Sequence, residues 1–183
     1  MKNQSNNNEY FLGNSSIYLR KIQKSDVNKN YYDWLNDSNT IKYMEIRKLP
    51  NSFSDIENYI EESLQSNSII MFAICLKENN KHIGNIKLWQ IDWINKNAIV
   101  SIIIGDQKCR GMGLASKSVG LISDYAFNIL NMHKIRAGIH EENIASLKVF
   151  KNNGFIQEAL LRDQIFFEGK WSNQIWLGKV NPY

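Results

Sequence analysis

The stretch of this 183-residue chain with the most chemical content is Lys108-Cys109-Arg110-Gly111-Met112-Gly113-Leu114-Ala115. It joins an apolar run, residues 98–104, to a segment of helical spacing. The first turn of a helix leaves N–H groups unpaired at the positive end of its dipole, and glycines let an anion reach the backbone. Lys108 and Arg110 add charge to the same junction, so its chemistry would be phosphate binding. Two glycines also suit a plain tight turn. The third glycine of a dinucleotide fingerprint and the GK[ST] of a P-loop are both missing, which removes the two nucleotide-fold readings.

The elements that must position this loop follow from periodicity. Residues 16–22, SIYLRKI, alternate and predict a strand. Ser25-Asp26 offers a cap for a helix over 26–36 carrying Val27, Tyr31, Trp34 and Leu35, and Ser54-Asp55-Ile56-Glu57 resembles a capping box for a second helix ending near 65. Residues 69–76, 82–91 and 97–105 then read as an antiparallel meander whose third strand, almost wholly apolar, is central. A long helix over 113–130, a strand over 134–140, a helix over 145–152 closed by Gly154, and a hairpin of 155–167 with 174–180 complete the order. The fold class is α+β: a mixed, mostly antiparallel sheet of about seven strands with helices on both faces.

Composition narrows the function classes. With 43% hydrophobic and 22% charged residues, the chain suits one folded domain over 15–183 behind a flexible end at 1–14. The formal charge of +4 is spread along the chain, which argues against a nucleic-acid stripe. Cys75 and Cys109 stand alone, so neither a CxxC pair nor a metal cluster is expected, and a reduced compartment is. The start MKNQSNNNE has no apolar leader and no window suits a membrane span, so a cytoplasmic location is expected.

Lys108, Gly111 and Gly113, together with Asn143-Ile144-Ala145-Ser146, Val149-Phe150 and Gly154-Phe155, resemble the two signatures of the GNAT superfamily of acetyl-CoA-dependent N-acetyltransferases. The likeness runs over 16–180, and Lys108 stands where the family usually has Gln or Arg. The resemblance implies that acetyl-CoA is held by Ile103, Ile104 and Gly105 at the splayed central strand and by Lys108, Arg110, Gly111, Met112, Gly113, Leu114, Ala115 and Ser116 at the diphosphate, with Asn143 and Phe150 beside the pantetheine arm. It also implies a backbone N–H near Ile103 facing the thioester oxygen.

For chemistry, the resemblance makes Ser146 the thiol's proton donor, because many relatives have Tyr where this chain has Phe150. The Glu that ribosomal-protein acetyltransferases carry early in the central strand is replaced by Ile99. Glu45 and His140 are the remaining candidates for general base. Each has a structural alternative: Glu45 pairing with Arg47, His140 capping a helix. Tyr31, Tyr32, Trp34, Leu35, Lys87 and Trp89 supply aromatic surface and charge of a kind that sugar rings favour, although helix spacing accounts for Tyr31, Trp34 and Leu35. The expected activity is N-acetylation of a small primary amine, with a nucleotide-linked amino sugar first. Protein N-termini, polyamines and a non-catalytic acyl-CoA binder are the alternatives. A homodimer is compatible with the sequence.

Overall fold

A computed structural model describes residues 10–182. Its strands are β1 (Leu12–Gly13), β2 (Ile17–Lys21), β3 (Ile70–Leu76), β4 (His82–Asp92), β5 (Asn97–Ile104), β6 (Lys134–His140), β7 (Ile156–Phe167) and β8 (Lys170–Val180). Its α-helices are α1 (Lys29–Asn36), α2 (Ser38–Ile41), α3 (Phe53–Gln65), α4 (Leu114–Asn128) and α5 (Ile144–Asn152). The strands form one sheet in the order β1-β2-β3-β4-β5-β6-β8-β7, antiparallel throughout except between β5 and β6.

Strand alternation sends side chains to two separate cores. Ile17, Leu19, Phe72, Ile74 and Ile86 face α4 and α5, meeting Leu114, Val119, Ile122, Ala126, Leu147 and Phe150. Tyr18, Met71, Ala73 and Cys75 face the other way, against Tyr31, Trp34 and Leu35 of α1 and Ile56 and Ile60 of α3. Helices therefore cover both faces, as the sequence predicts.

The differences are local and have physical causes. The sheet has eight strands because residues 12–13 pair with β2: the Phe11 N–H donates to the Leu19 carbonyl at 3.0 Å and Leu12 lies opposite Leu19. Of the end expected to be flexible over 1–14, residues 12–13 are a paired edge strand, and residues 1–9 lie outside the described residues. The first helix starts at Lys29, capped by Asn28, whose side chain accepts from the Asn30 and Tyr31 N–H groups. Asp26 cannot cap it, because its carboxylate accepts from the Arg20 guanidinium at 2.8 and 2.5 Å and from the Gln23 N–H. The capping box of α3 is Ser52 with Asp55, two residues before the expected one. The last hairpin turns on Glu168 (φ 49°) and Gly169 (φ 82°). Two left-handed residues make a tight loop that matches strand twist, so β8 begins at Lys170 instead of 174.

Candidate active site

β5 parts from β6. Pairing between them holds only at Asn97 with Lys134, Ala98 with Ile135 and Ile99 with Arg136, while β5 stays paired with β4 as far as Ile104 opposite Gly84. The β6 side of β5 is therefore open beyond Ile99. The Gly105 N–H donates to the Ile83 carbonyl at 2.9 Å. Hydrogen-bonded pairs in an antiparallel ladder recur every second residue, so Ile103 also turns its backbone groups toward β4. Ile102 and Ile104 face the opening instead. The Ile104 carbonyl accepts from Arg110 Nε at 3.1 Å, which leaves Ile102 as the open-edge residue. The expectation of a free N–H at Ile103 moves by one residue, because register decides which of two neighbouring residues faces the gap.

At the end of β5 a short 3-10 turn, Gln107–Cys109, leads to α4. Gly111 (φ 74°) and Gly113 (φ 73°) adopt left-handed backbone, and a Cβ at either would meet nothing within 4 Å. Gly113 is the N-cap of α4 and supplies no side-chain hydrogen bond. A bare helix terminus beside open glycines is a cradle an anion can enter. Exposed Lys108 and Met112, with half-buried Ala115 and Ser116, lie along this segment.

Other residues expected there have different tasks. Arg110 folds back, donating to the Thr40 hydroxyl at 2.7 Å as well as to Ile104, so it ties the loop to α2 and its guanidinium is engaged away from the cradle. Gly105 allows close approach: a Cβ would lie 2.0 Å from the Trp34 ring. Leu114 and Phe150 are buried, the latter packed edge-on against Phe155 at 5.0 Å. The Asn143 side-chain oxygen accepts from the Ser146 N–H at 3.1 Å and so caps α5. The Ser116 hydroxyl accepts from Asn153, joining α4 to α5. Ser146 is half-buried in the first turn of α5. A separate cavity of about 400 Å³ is bordered by Trp34, Asp37, Thr40, Lys81, Asp106 and Lys108, and includes no residue of β5, β6 or α4.

His140 ends β6, the strand that faces the opening. It is 5% exposed, and neither ring nitrogen has a hydrogen-bond partner among the described residues. Tyr43 and Phe167 wall it with ring centroids at 5.4 and 5.0 Å. Burial, and then the nearby Arg47 charge, holds its pKa below the ordinary 6.5, so the ring is neutral near pH 7. Glu142 Oε2 lies 3.7 Å from Nδ1, close enough to favour an incoming proton. Glu45 is exposed and paired with Lys48, which lowers its pKa, whereas Arg47 donates to the Met44 and Phe166 carbonyls. The expected Glu45 to Arg47 pair does not form, because the 3-10 turn Glu45–Lys48 brings the third residue on, Lys48, alongside. His140, Tyr43 and Phe167 come from distant parts of the chain. The aromatic character of Tyr43 and Phe167 was the only sequence signal for that enclosure.

Residues 16–156 match the family described as "Acetyltransferase (GNAT) domain". The chain belongs to the GNAT acetyltransferase family. It is an acetyl-CoA-dependent N-acetyltransferase acting on an amine. It is 27% identical to the probable N-acetyltransferase YjcK of Bacillus subtilis over 93% of this chain and 97% of that one. It is also 27% identical to the spermidine N(1)-acetyltransferase of Vibrio cholerae over 87% and 90% of the two chains. A solved structure of the Vibrio cholerae spermidine N-acetyltransferase with CoA and spermine superposes with a TM-score of 0.83 at 25% identity, over 92% of this chain and 97% of that one. Among the described residues no helix is long and apolar enough to cross a membrane, and no group of three or more His, Cys, Asp and Glu side chains could hold a metal ion.

Proposed function

We propose that this GNAT protein holds acetyl-CoA between β5 and β6 and transfers its acetyl group to the primary amine of a small molecule, with His140 accepting the amine's proton. The observation that carries this reading is the open edge of β5 leading directly into the uncapped, glycine-lined start of α4. The residues fit the donor. Backbone N–H groups over 111–116 and the Lys108 ammonium would face the diphosphate, and the Ile102 backbone would pair with the pantetheine arm. Bound there, acetyl-CoA supplies an activated acyl group.

The chain's own part is to orient that group and move protons. The Ile102 N–H would donate to the thioester oxygen in a partly dry cleft, where a fixed dipole acts strongly. His140 is neutral, buried and without a hydrogen-bond partner among the described residues, so it is ready to take a proton, and Glu142 favours the imidazolium that results. Ser146 at the start of α5 is the proposed donor to the departing thiolate. Glu45, held by Lys48 in solvent, is the weaker candidate for base.

The similarity to spermidine acetyltransferases supports a small amine over a protein N-terminus. The amino-sugar reading draws nothing from the relatives' names. The test is thiol release from acetyl-CoA with spermidine, amino sugars and N-terminal peptides as acceptors. Turnover of at least one small amine is expected. CoA binding without turnover of any of them would leave only an acyl-CoA-binding module, and turnover of peptides alone would remove the small-amine reading.

A further inference from the structure

Alternation along β6 places Arg136 and Gly138 on the same sheet face as His140. The register then carries a row across that face: Trp89 on β4 lies opposite Ile99 on β5, which lies opposite Arg136 on β6. In the next row Lys87 is opposite Ser101, and Gly138 is opposite Trp176 on β8. Lys87, Trp89, Arg136 and Trp176 are all only half-buried, and Gly138 is exposed. The face is therefore a shallow floor, accessible at Arg136, with the Trp176 ring lying over Gly138, 3.1 Å from where a Cβ would stand, and His140, 5% exposed, buried at its end.

Two cations lie on this floor against aromatic rings. Lys87 Nζ sits 5.1 Å from the Trp89 ring centroid and 5.3 Å from that of Tyr59, whose hydroxyl accepts its hydrogen bond at 2.7 Å. Arg136 sits 5.6 Å from the Trp176 ring and donates to Asn97 Oδ1 at 3.3 Å, while its Nε is buried with no partner among the described residues. Neither cation is ion-paired among the described residues. Glu158 approaches the same row at Gly178, but Lys134 holds it at 2.6 Å. The indole N–H groups are also fixed, Trp89 donating to Ser101 at 2.8 Å and Trp176 to Gln174 at 3.0 Å, which sets the planes of both rings.

We infer that this floor binds the non-reacting part of the acceptor and selects an amine whose scaffold combines a ring with a phosphate. The ring rests on Trp89 or Trp176, the phosphate meets Lys87 and Arg136, and the amine points along β6 to His140. The four-residue step from Arg136 to His140 spans about 13 Å along the strand, room for one sugar-sized ring between anion and nitrogen once the arginine side chain reaches inward. A free polyamine would instead bring its remaining positive charges onto two like charges. This inference rests on the acetyltransferase reading above and narrows it to one acceptor class.

The test compares matched acceptors, glucosamine 6-phosphate against glucosamine, with spermidine as third. The phosphate is expected to raise kcat/KM at least tenfold, through KM. Lys87→Met and Arg136→Met should each remove most of that advantage while the KM for acetyl-CoA stays unchanged. Equal use of the two sugars, or preference for spermidine that neither substitution alters, would overturn the inference. Binding separates this from a failure of catalysis. With the donor site saturated by CoA, uridine 5′-diphosphate should still quench tryptophan fluorescence at millimolar concentration, and the effect should weaken in the Lys87→Met protein. No quenching under those conditions would refute the anion site even if no acceptor turned over, and thermal melts establish that each variant is folded.

Discussion

A buried imidazole with two unpartnered nitrogens is costly unless something uses it, because burying a polar group without a hydrogen bond loses its hydration. Among the described residues His140 is such a group, and its lowered pKa keeps the ring neutral at pH 7. Replacing it with Gln should lower kcat by about 100-fold, the lower end of what a general base contributes. The acidic limb of the kcat/KM profile, which falls below the ordinary 6.5 of histidine, should vanish with it. Glu45→Gln should change kcat by less than about threefold, since that carboxylate is already engaged by Lys48 in solvent. The opposite ranking in steady-state kinetics would hand the role to Glu45. Gly111 makes a second residue-scale case. A valine there faces open space but an adverse φ of 74°, and its side chain would fill the cradle. Its KM for acetyl-CoA should rise about tenfold or more, with a smaller change in kcat; an unchanged KM would place the diphosphate elsewhere.

At the scale of elements, the cleft is a by-product of how strands and helices are joined. β4 keeps β5 straight while β6 leaves it after three paired residues, and α4 and α5 are tied together near the start of one and the end of the other. That tie is Asn153, whose side-chain amide donates to the Ser116 hydroxyl at 2.9 Å and to the Val149 carbonyl at 2.8 Å. Asn153→Ala should cost about 1–2 kcal/mol of stability through the two lost hydrogen bonds. It should also weaken acetyl-CoA binding modestly, because Ser116 lies in the first turn of α4. Urea denaturation read beside a KM measurement checks both, and a variant as stable as the parent would mean that the helices are held by packing alone. Element types and order were legible from period and turn residues. Element starts were less so: Asp26 looks like a cap in sequence, but Arg20 competes for its carboxylate, and that competition is a tertiary fact.

Across the whole molecule, the buried Asp26 and His140 and the half-buried His82 make stability depend on pH in one direction. Burial depresses the pKa of His82 and of His140 below 6.5. The unfolded chain then binds more protons than the native one, so this contribution is complete above about pH 6.5 and is lost as pH falls through that range. Burial works against the charge on Asp26, but hydrogen bonds from Arg20 and the Gln23 N–H outweigh it and hold the carboxyl below its ordinary 3.8, so its contribution is lost only at still lower pH. Thermal melts should show Tm falling between pH 7.5 and 5.5 and falling again below about pH 4. A flat Tm from 7.5 to 5 would mean that the two imidazoles are solvated in the native state.

The glycines at 111 and 113, the apolar run of β5 and the order of elements by themselves determined the fold and pointed to the proposed donor site, because backbone conformation and strand burial depend on residues near one another in the chain. Tertiary structure decided the rest. Whether Ile102 or Ile103 faces the gap depends on pairing with β4, whether the Arg110 guanidinium is free or tied to the loop depends on Thr40, and whether His140 is solvated or enclosed depends on Tyr43 and Phe167. Each of those outcomes is set by a partner remote in sequence, where a local pattern carries no information about distance, solvation or charge.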